Sequence, residues 1–190
     1  APVETYHTQV QDGDFVLCRC NAPLVNQCFK FLKLGRKANI QGRDIGKGLI
    51  TLVEKMKAAT LPELNQKLTD WRAKEVAKEQ AKRNPNETRI QAIEDRVDCL
   101  LCFTEEASTV EGVIRKIESI FTDDKTSPGI KMSSIHKSKG LEADNVFLLQ
   151  PKGASIIWAK KGTKDWELEQ MRNLAYVAIT RARHTLTHVT

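Results

Sequence analysis

The sequence predicts an α/β fold in which a parallel sheet flanked by helices is interrupted by a small helical insertion. Three observations carry that prediction. The runs Phe15-Val16-Leu17-Cys18 and Asn145 to Leu149 are short and almost continuously apolar, the pattern of strands covered on both faces rather than of a sheet with one wet face. The first run is followed by a helical period and then by a second brief strand, which is the spacing of a parallel strand-helix-strand unit. From Asp44 to about Phe121 only the helical period recurs.

Taken in order, Asp14 to Cys20 is the first strand, bounded by Gly13 and by Asn21, whose side chain suits a helix N-cap. The next helix aligns Leu24, Cys28 and Leu32 on one face, with Val25 and Phe29 beside them, and stops at Gly35. A brief strand from Ala38 to Gln41 closes the unit. Ile45, Leu49, Leu52, Val53 and Met56 then form one amphipathic face, and Leu61-Pro62-Glu63 restarts a helix that runs past Trp71 towards Ala81. Asn84-Pro85-Asn86 breaks the chain. Ile90, Ile93, Val97, Leu100 and Leu101 make a further stripe, and a last helix runs from Thr109, as its cap, to Ile120. Between Asp70 and Asp98 seven positive and seven negative charges cancel, as on a solvated helical surface. Ser127-Pro128-Gly129 is a turn, Ile130 to Ile135 a strand and Asn145 to Leu149 another. Leu168, Met171, Leu174, Ala175 and Ala178 line a helix, and His184 to Val189 is a closing strand. The expected domains are 1–48 and 127–190 as two parts of one α/β domain, with 49–126 as the helical insertion.

The formal charge is +6, and from Lys131 onward ten Lys and Arg accompany five Asp and Glu, so the excess is concentrated near the end of the chain. An anionic partner is expected there, the plainer alternative being a solvated basic face. No apolar run approaches the roughly 18 residues of a membrane span, and the first residues lack the apolar core of a signal peptide. A soluble protein with no membrane partner is expected, and the start at Ala1 without an initiator Met suggests a piece of something longer. Five cysteines argue against a full disulfide set and for a reducing, cytoplasmic location. Cys18 with Cys20, and Cys99 with Cys102, have spacings that zinc accepts, but both pairs sit in apolar runs without knuckle residues. Buried thiols and no metal site are expected.

A phosphate-cradling loop needs G-x-x-x-x-G-K followed by Ser or Thr, whose hydroxyl reaches the metal. Gly42-Arg43-Asp44-Ile45-Gly46-Lys47-Gly48 has three residues between its first two glycines and ends in Gly, so it is a false match. No acidic pair ends an apolar strand where it would hold magnesium; Asp123-Asp124 falls in a predicted loop.

Two segments carry the remaining chemistry: Ser134-Ile135-His136-Lys137-Ser138-Lys139-Gly140-Leu141-Glu142, and Asn173 to Arg183, which contains Ala175-Tyr176-Val177-Ala178-Ile179-Thr180-Arg181-Ala182. Together they offer Lys, Ser, Gly, Glu and Arg to a phosphate-rich ligand. They resemble motifs V and VI of the UvrD/Rep-type superfamily-one DNA helicases. Leu17-Cys18-Arg19-Cys20-Asn21-Ala22 and Gln41-Gly42-Arg43-Asp44-Ile45 resemble the family's strand-to-helix segment and the stretch after it.

The resemblance implies a RecA-like sheet, the second motor domain of an ATP-driven helicase or translocase that moves 3′ to 5′. It implies ATP and Mg2+ as cofactors, with the Mg2+ ligands outside this chain on an N-terminal P-loop domain of the same polypeptide, and single-stranded DNA as a partner. Arg181 falls on the catalytic arginine that reaches the γ-phosphate, a task suited to a rigid planar guanidinium. Glu142 falls on the ribose contact, and Gly140, counted with the ATP-binding residues, lets the backbone approach or take a positive φ. Ser134 and His136 fall on strand-end contacts to DNA phosphates, with Lys137 and Arg19 as further DNA-binding candidates; such groups hold phosphate without reading bases. Trp158 and Trp166 are candidates for base stacking or for packing. Ala143 stands where the family usually has an aromatic, the insertion is shorter than the accessory domain of larger members, and the upstream Asn-Tyr-Arg-Ser motif is not in the chain. A non-catalytic nucleic-acid-binding module of the same fold is the alternative.

Overall fold

The computed structural model describes residues 2, 4–124, 128–151, 156 and 163–190. In chain order the strands and α-helices are β1 (Phe15–Cys18), α1 (Asn21–Lys33), β2 (Ala38–Gln41), α2 (Arg43–Met56), α3 (Leu61–Gln80), α4 (Glu87–Glu105), α5 (Val110–Ile120), β3 (Phe121–Thr122), β4 (Ile130–Ser134), β5 (Ala143–Leu149), α6 (Asp165–Ile179) and β6 (Ala182–Val189). Two compact units result: Ala1–Gln41 with Asp123–Thr190, and Gly42–Thr122.

In the first unit the strands run β2-β4-β1-β5-β6, with each of these neighbours parallel. Alternation along the strands sorts their side chains onto two faces. Phe15, Leu17, Val146 and Leu148 look towards α6 and pack with Ala178, Leu174, Ala175 and Val177. Val16, Cys18, Ile40, Met132, Phe147 and Leu149 occupy the opposite face and are all buried. There α1 covers the sheet, and the Tyr6 ring bridges its Phe31 at 5.9 Å to Phe147 of β5 at 6.1 Å. Both faces are covered at the centre, which is why these strands read as unbroken apolar runs.

Local details differ from the sequence expectation. Cys20, not Asn21, occupies the N-cap of α1, and Asn21 is already helical. Leu32 is 42% exposed while Phe31 is wholly buried. Residues 32–35 are all exposed, so Phe31 is the last residue of α1 to reach the core. Strands β5 and β6 each begin two residues earlier than expected. Ser127 of the expected turn and Trp158 lie outside the described residues.

The second unit is helical because its caps and stripes agree. Thr60, Asn86 and Thr109 each accept a backbone N–H from the first turn of the helix they precede, satisfying donors that a helix start otherwise leaves open. Buried Glu79 joins the end of α3 to the start of α4: it meets Lys82 Nζ at 2.7 Å, Arg89 Nε at 3.2 Å and the Asn86 N–H at 3.4 Å. The Lys82 bond above all lowers its carboxyl below the ordinary value. The unit also explains the glycines of the false phosphate loop. Gly42 caps α2 with φ +126°, and a Cβ on Gly46 would lie 2.9 Å from Cβ of Phe121. They serve a helix cap and a close contact with Phe121.

At the amino edge of the sheet, Gly129 has φ +101°, and a Cβ there would overlap the Lys37 carbonyl oxygen, which accepts from Ile130 N at 2.9 Å. Gly140 also has a positive φ, +81°, but its Cβ would meet nothing within 4 Å. Gly140→Ala is therefore expected to destabilise by about 1–2 kcal/mol through backbone strain alone. Gly129→Ala adds steric overlap and is expected to cost about 2–4 kcal/mol. Denaturant midpoints of the two variants check this; equal losses would show that overlap at Lys37 is unimportant.

Candidate functional site

Because the strands are parallel, a residue just before a strand and one just after it lie at opposite edges of the sheet. The seven residues of β5 span about 23 Å at roughly 3.3 Å per residue. Arg19, Ser134 and His136 belong to the carboxyl edge, at the ends of β1 and β4, whereas Glu142 and Arg181 belong to the amino edge, before β5 and β6. Residues 135–142 cross between these edges. Ile135 and Leu141 pack into the core between the sheet and α6. Ser138 is wholly buried and donates its hydroxyl to the Ile135 carbonyl at 2.8 Å. Backbone bonds from Lys137 and Ser138 to the Ser134 carbonyl, both 3.0 Å, turn the chain at one end, and the bond from Leu141 to Ser138 at 2.9 Å shapes the other.

At the amino edge the Arg181 guanidinium is already well held. Its Nε donates to the Val177 carbonyl at 3.0 Å, Nη1 to the Leu141 carbonyl at 3.1 Å and Nη2 to Thr180 Oγ1 at 3.0 Å. A guanidinium has five N–H donors, so these bonds fix its plane and leave one N–H on each terminal nitrogen without a partner among the described residues. Ala143 N in turn donates to the Arg181 carbonyl at 3.0 Å. The end of the crossover and the turn after α6 thus hold one another. The half-exposed Glu142 carboxylate is 3.3 Å from Arg183 Nε. Asp144 Oδ1 lies 3.9 Å from Arg183 Nη1 and 3.8 Å from His184 Nε2. A cleft of about 250 Å3 opens here, lined by Phe15, Lys131, Leu141, Glu142, Asp144 and Arg183 among others. Arg183 was not singled out from the sequence. Its position two residues after Arg181 was visible, but its pairing with Glu142, 41 residues away, was not.

At the carboxyl edge His136 and Lys137 are exposed and Arg19 is half-buried. Partial desolvation, with a smaller contribution from the Arg19 guanidinium, lowers the His136 pKa below its ordinary value. Its imidazole is therefore neutral at neutral pH and has a cation for a neighbour. Ser134 is only 5% exposed, and its carbonyl forms the turn beneath Lys137 and Ser138. The structure thus groups Arg19, His136 and Lys137 at one surface, with Ser134 below it. Gly140 lies on the crossover, where its positive φ brings the chain to Leu141 and Glu142. Trp166, near the start of α6, is 52% exposed. Cys18, Cys28 and Cys99 are buried thiols, Cys20 and Cys102 are half-buried, and burial raises the Cys28 thiol to about 12. Among the described residues no three His, Cys, Asp or Glu side chains stand together as metal ligands, and no helix is long and apolar enough to cross a membrane.

A parallel sheet covered by helices on both faces is that of an α/β RecA-like domain. Residues 37–190 match the UvrD-like helicase C-terminal domain family, and the chain belongs to that family. It is also similar to the ATP-dependent DNA helicase PcrA of Staphylococcus aureus, with 38% identity over 69 residues in strains Mu50, NCTC 8325 and COL. The matched segment covers 34% of this chain and 10% of each relative.

The proximity of Arg19 and His136 yields a direct test. Arg19→Gln removes the neighbouring positive charge, so the His136 titration midpoint, followed by NMR, is expected to move upward while staying below the ordinary 6.5 because desolvation persists. A midpoint that does not rise would separate the two side chains. The sign for stability also follows. A histidine whose folded pKa is lowered contributes fully above the unfolded value, and that contribution is lost as pH falls through the folded one.

Proposed function

We propose that this chain is the second motor domain of an ATP-driven DNA helicase or translocase. In this reading it works with a P-loop domain of the same polypeptide and inactive without it, and moves 3′ to 5′ along one DNA strand. The observation that carries the reading is the crossover 135–142: one short segment joins the His136 surface to the Leu141-Glu142 contact with Arg181 and Arg183. A nucleotide held at the amino edge and a strand held at the carboxyl edge would act on the same eight residues.

The residues suit ATP. Arg181 offers a planar cation whose orientation is fixed by three oxygens, and Glu142 offers an exposed carboxylate oxygen for sugar hydroxyls. ATP supplies the phosphoanhydride whose hydrolysis drives the cycle. Arg181 would place positive charge against the γ-phosphate, close to the leaving oxygen on which negative charge builds as its bond to phosphorus lengthens. Its bond to the Leu141 carbonyl would transmit the position of that guanidinium to the crossover. The Mg2+ ligands are assigned to the P-loop domain, which also supplies the phosphate cradle.

On the other edge, Arg19, His136 and Lys137 would hold DNA phosphates without reading bases, with Ser134 supplying the turn that presents them. A phosphate beside His136 would favour its protonated form, so strand binding should tighten as pH falls through the lowered pKa.

The complete protein is expected to show DNA-stimulated ATP hydrolysis, and Arg181→Ala to reduce turnover by a factor on the order of 10³. Arg181→Lys keeps the charge without the fork and should restore only part of it. Circular dichroism and melting of each variant separate loss of chemistry from loss of fold. Turnover of folded Arg181→Ala within about threefold of the unaltered protein contradicts the assigned role, given the size of the effect expected.

A further inference from the structure

The register between β5 and β6 is irregular at one point. Ala143 is opposite Ala182, but Asn145 is opposite Thr185, so two steps along β5 match three along β6. Arg183 and His184 therefore both stand against Asp144. In a regular strand, successive side chains point to opposite faces and would not share a partner. Here both come within 4 Å of the same oxygen: Arg183 Nη1 is 3.9 Å and His184 Nε2 3.8 Å from Asp144 Oδ1. An extra residue of this kind re-aims a side chain, and it turns Arg183 back across the β5 start to reach Glu142 Oε2 at 3.3 Å.

We propose that Arg183, directed by this bulge, is a positioning residue that orients the Glu142 carboxylate towards the sugar hydroxyls of the bound nucleotide. The inference rests on the nucleotide-binding reading of this edge. Glu142 is exposed just before β5, and among the described residues Arg183 is its one side-chain partner. With Oε2 held by Arg183, Oε1 is the oxygen left for a ligand. Arg183 itself needs no contact with the nucleotide. Asp144 holds its far nitrogen, so the chain of contacts runs from Asp144 through Arg183 to Glu142. Arg181 fixes the carbonyl of the preceding residue, Leu141, at 3.1 Å. Arg181 and Arg183, flanking Ala182, thus hold the main chain and the side chain of the Leu141-Glu142 dipeptide separately. Lys in place of Arg183 would keep the charge on a flexible stem and lose the planar fork, giving partial orientation.

The test is steady-state DNA-stimulated hydrolysis by the complete protein, with ATP and with 2′,3′-dideoxy-ATP, which lacks the hydroxyls that Glu142 would meet. The unaltered protein should favour ATP in kcat/KM. In Arg183→Ala the KM for ATP should rise about two- to fivefold with kcat unchanged, the size expected for an exposed ion pair. The dideoxy substrate should be unaffected, so that discrimination between the two narrows. Arg183→Lys should recover part of the discrimination, and Glu142→Gln combined with Arg183→Ala should lose no more than Glu142→Gln alone. Equal losses on both substrates, or a fall in kcat alone, would mean that Arg183 does not act through Glu142 and would overturn the inference while leaving the motor reading intact. An unaltered protein without DNA-stimulated hydrolysis would overturn the motor reading, and this inference with it.

Discussion

Parallel pairing is the constraint on which the rest of this protein depends. Each parallel strand must be entered from the same edge, so every connection has to carry the chain back along the height of the sheet. Between β1 and β2, and between β5 and β6, helices make the return. Between β4 and β5 only residues 135–142 are available, and they make it through successive turns pinned by Ile135, buried Ser138 and Leu141. Gly140, with its positive φ, permits the last change of direction before β5.

The same crossover joins the two groups of candidate residues. The two groups of candidate residues are about 23 Å apart along the strand direction, too far for direct electrostatic contact across screening solvent. The crossover links them covalently. Its start carries His136 and Lys137, and its end places the Leu141 carbonyl on Arg181 and the Glu142 carboxylate beside Arg183. Under the proposed function, a change in either ligand would be felt as tension or release in one packed segment rather than through the sheet as a whole.

Arg181 shows why residue type and residue role need separate arguments. Its three bonds to the Val177 and Leu141 carbonyls and to Thr180 are those of a structural arginine that closes the end of α6. The same bonds fix the plane of the guanidinium, which is what a group acting on a transferred phosphoryl requires. The bulge opposite Asp144 adds a second arginine to the same edge. The glycines of Gly42 to Gly48 show the reverse: a pattern suggestive of phosphate binding turns out to serve a helix cap and a close contact with Phe121.

The sequence by itself determined the fold class, the strand cores and the helical middle, because apolar periodicity and capping residues act over a few neighbours. Thr109 and Gly140 could be assigned their local parts without the tertiary structure. It also pointed to the family, through motifs that are contiguous in the chain. Only the tertiary structure decided that Ser134 lies beneath the surface rather than on it, that Phe31 and not Leu32 fills the core, and that Arg183 meets Glu142. Each of these depends on strand register, on a one-residue bulge or on which side a helix turns to the sheet. Those quantities are set by pairing between segments distant in the chain, and no local pattern encodes them.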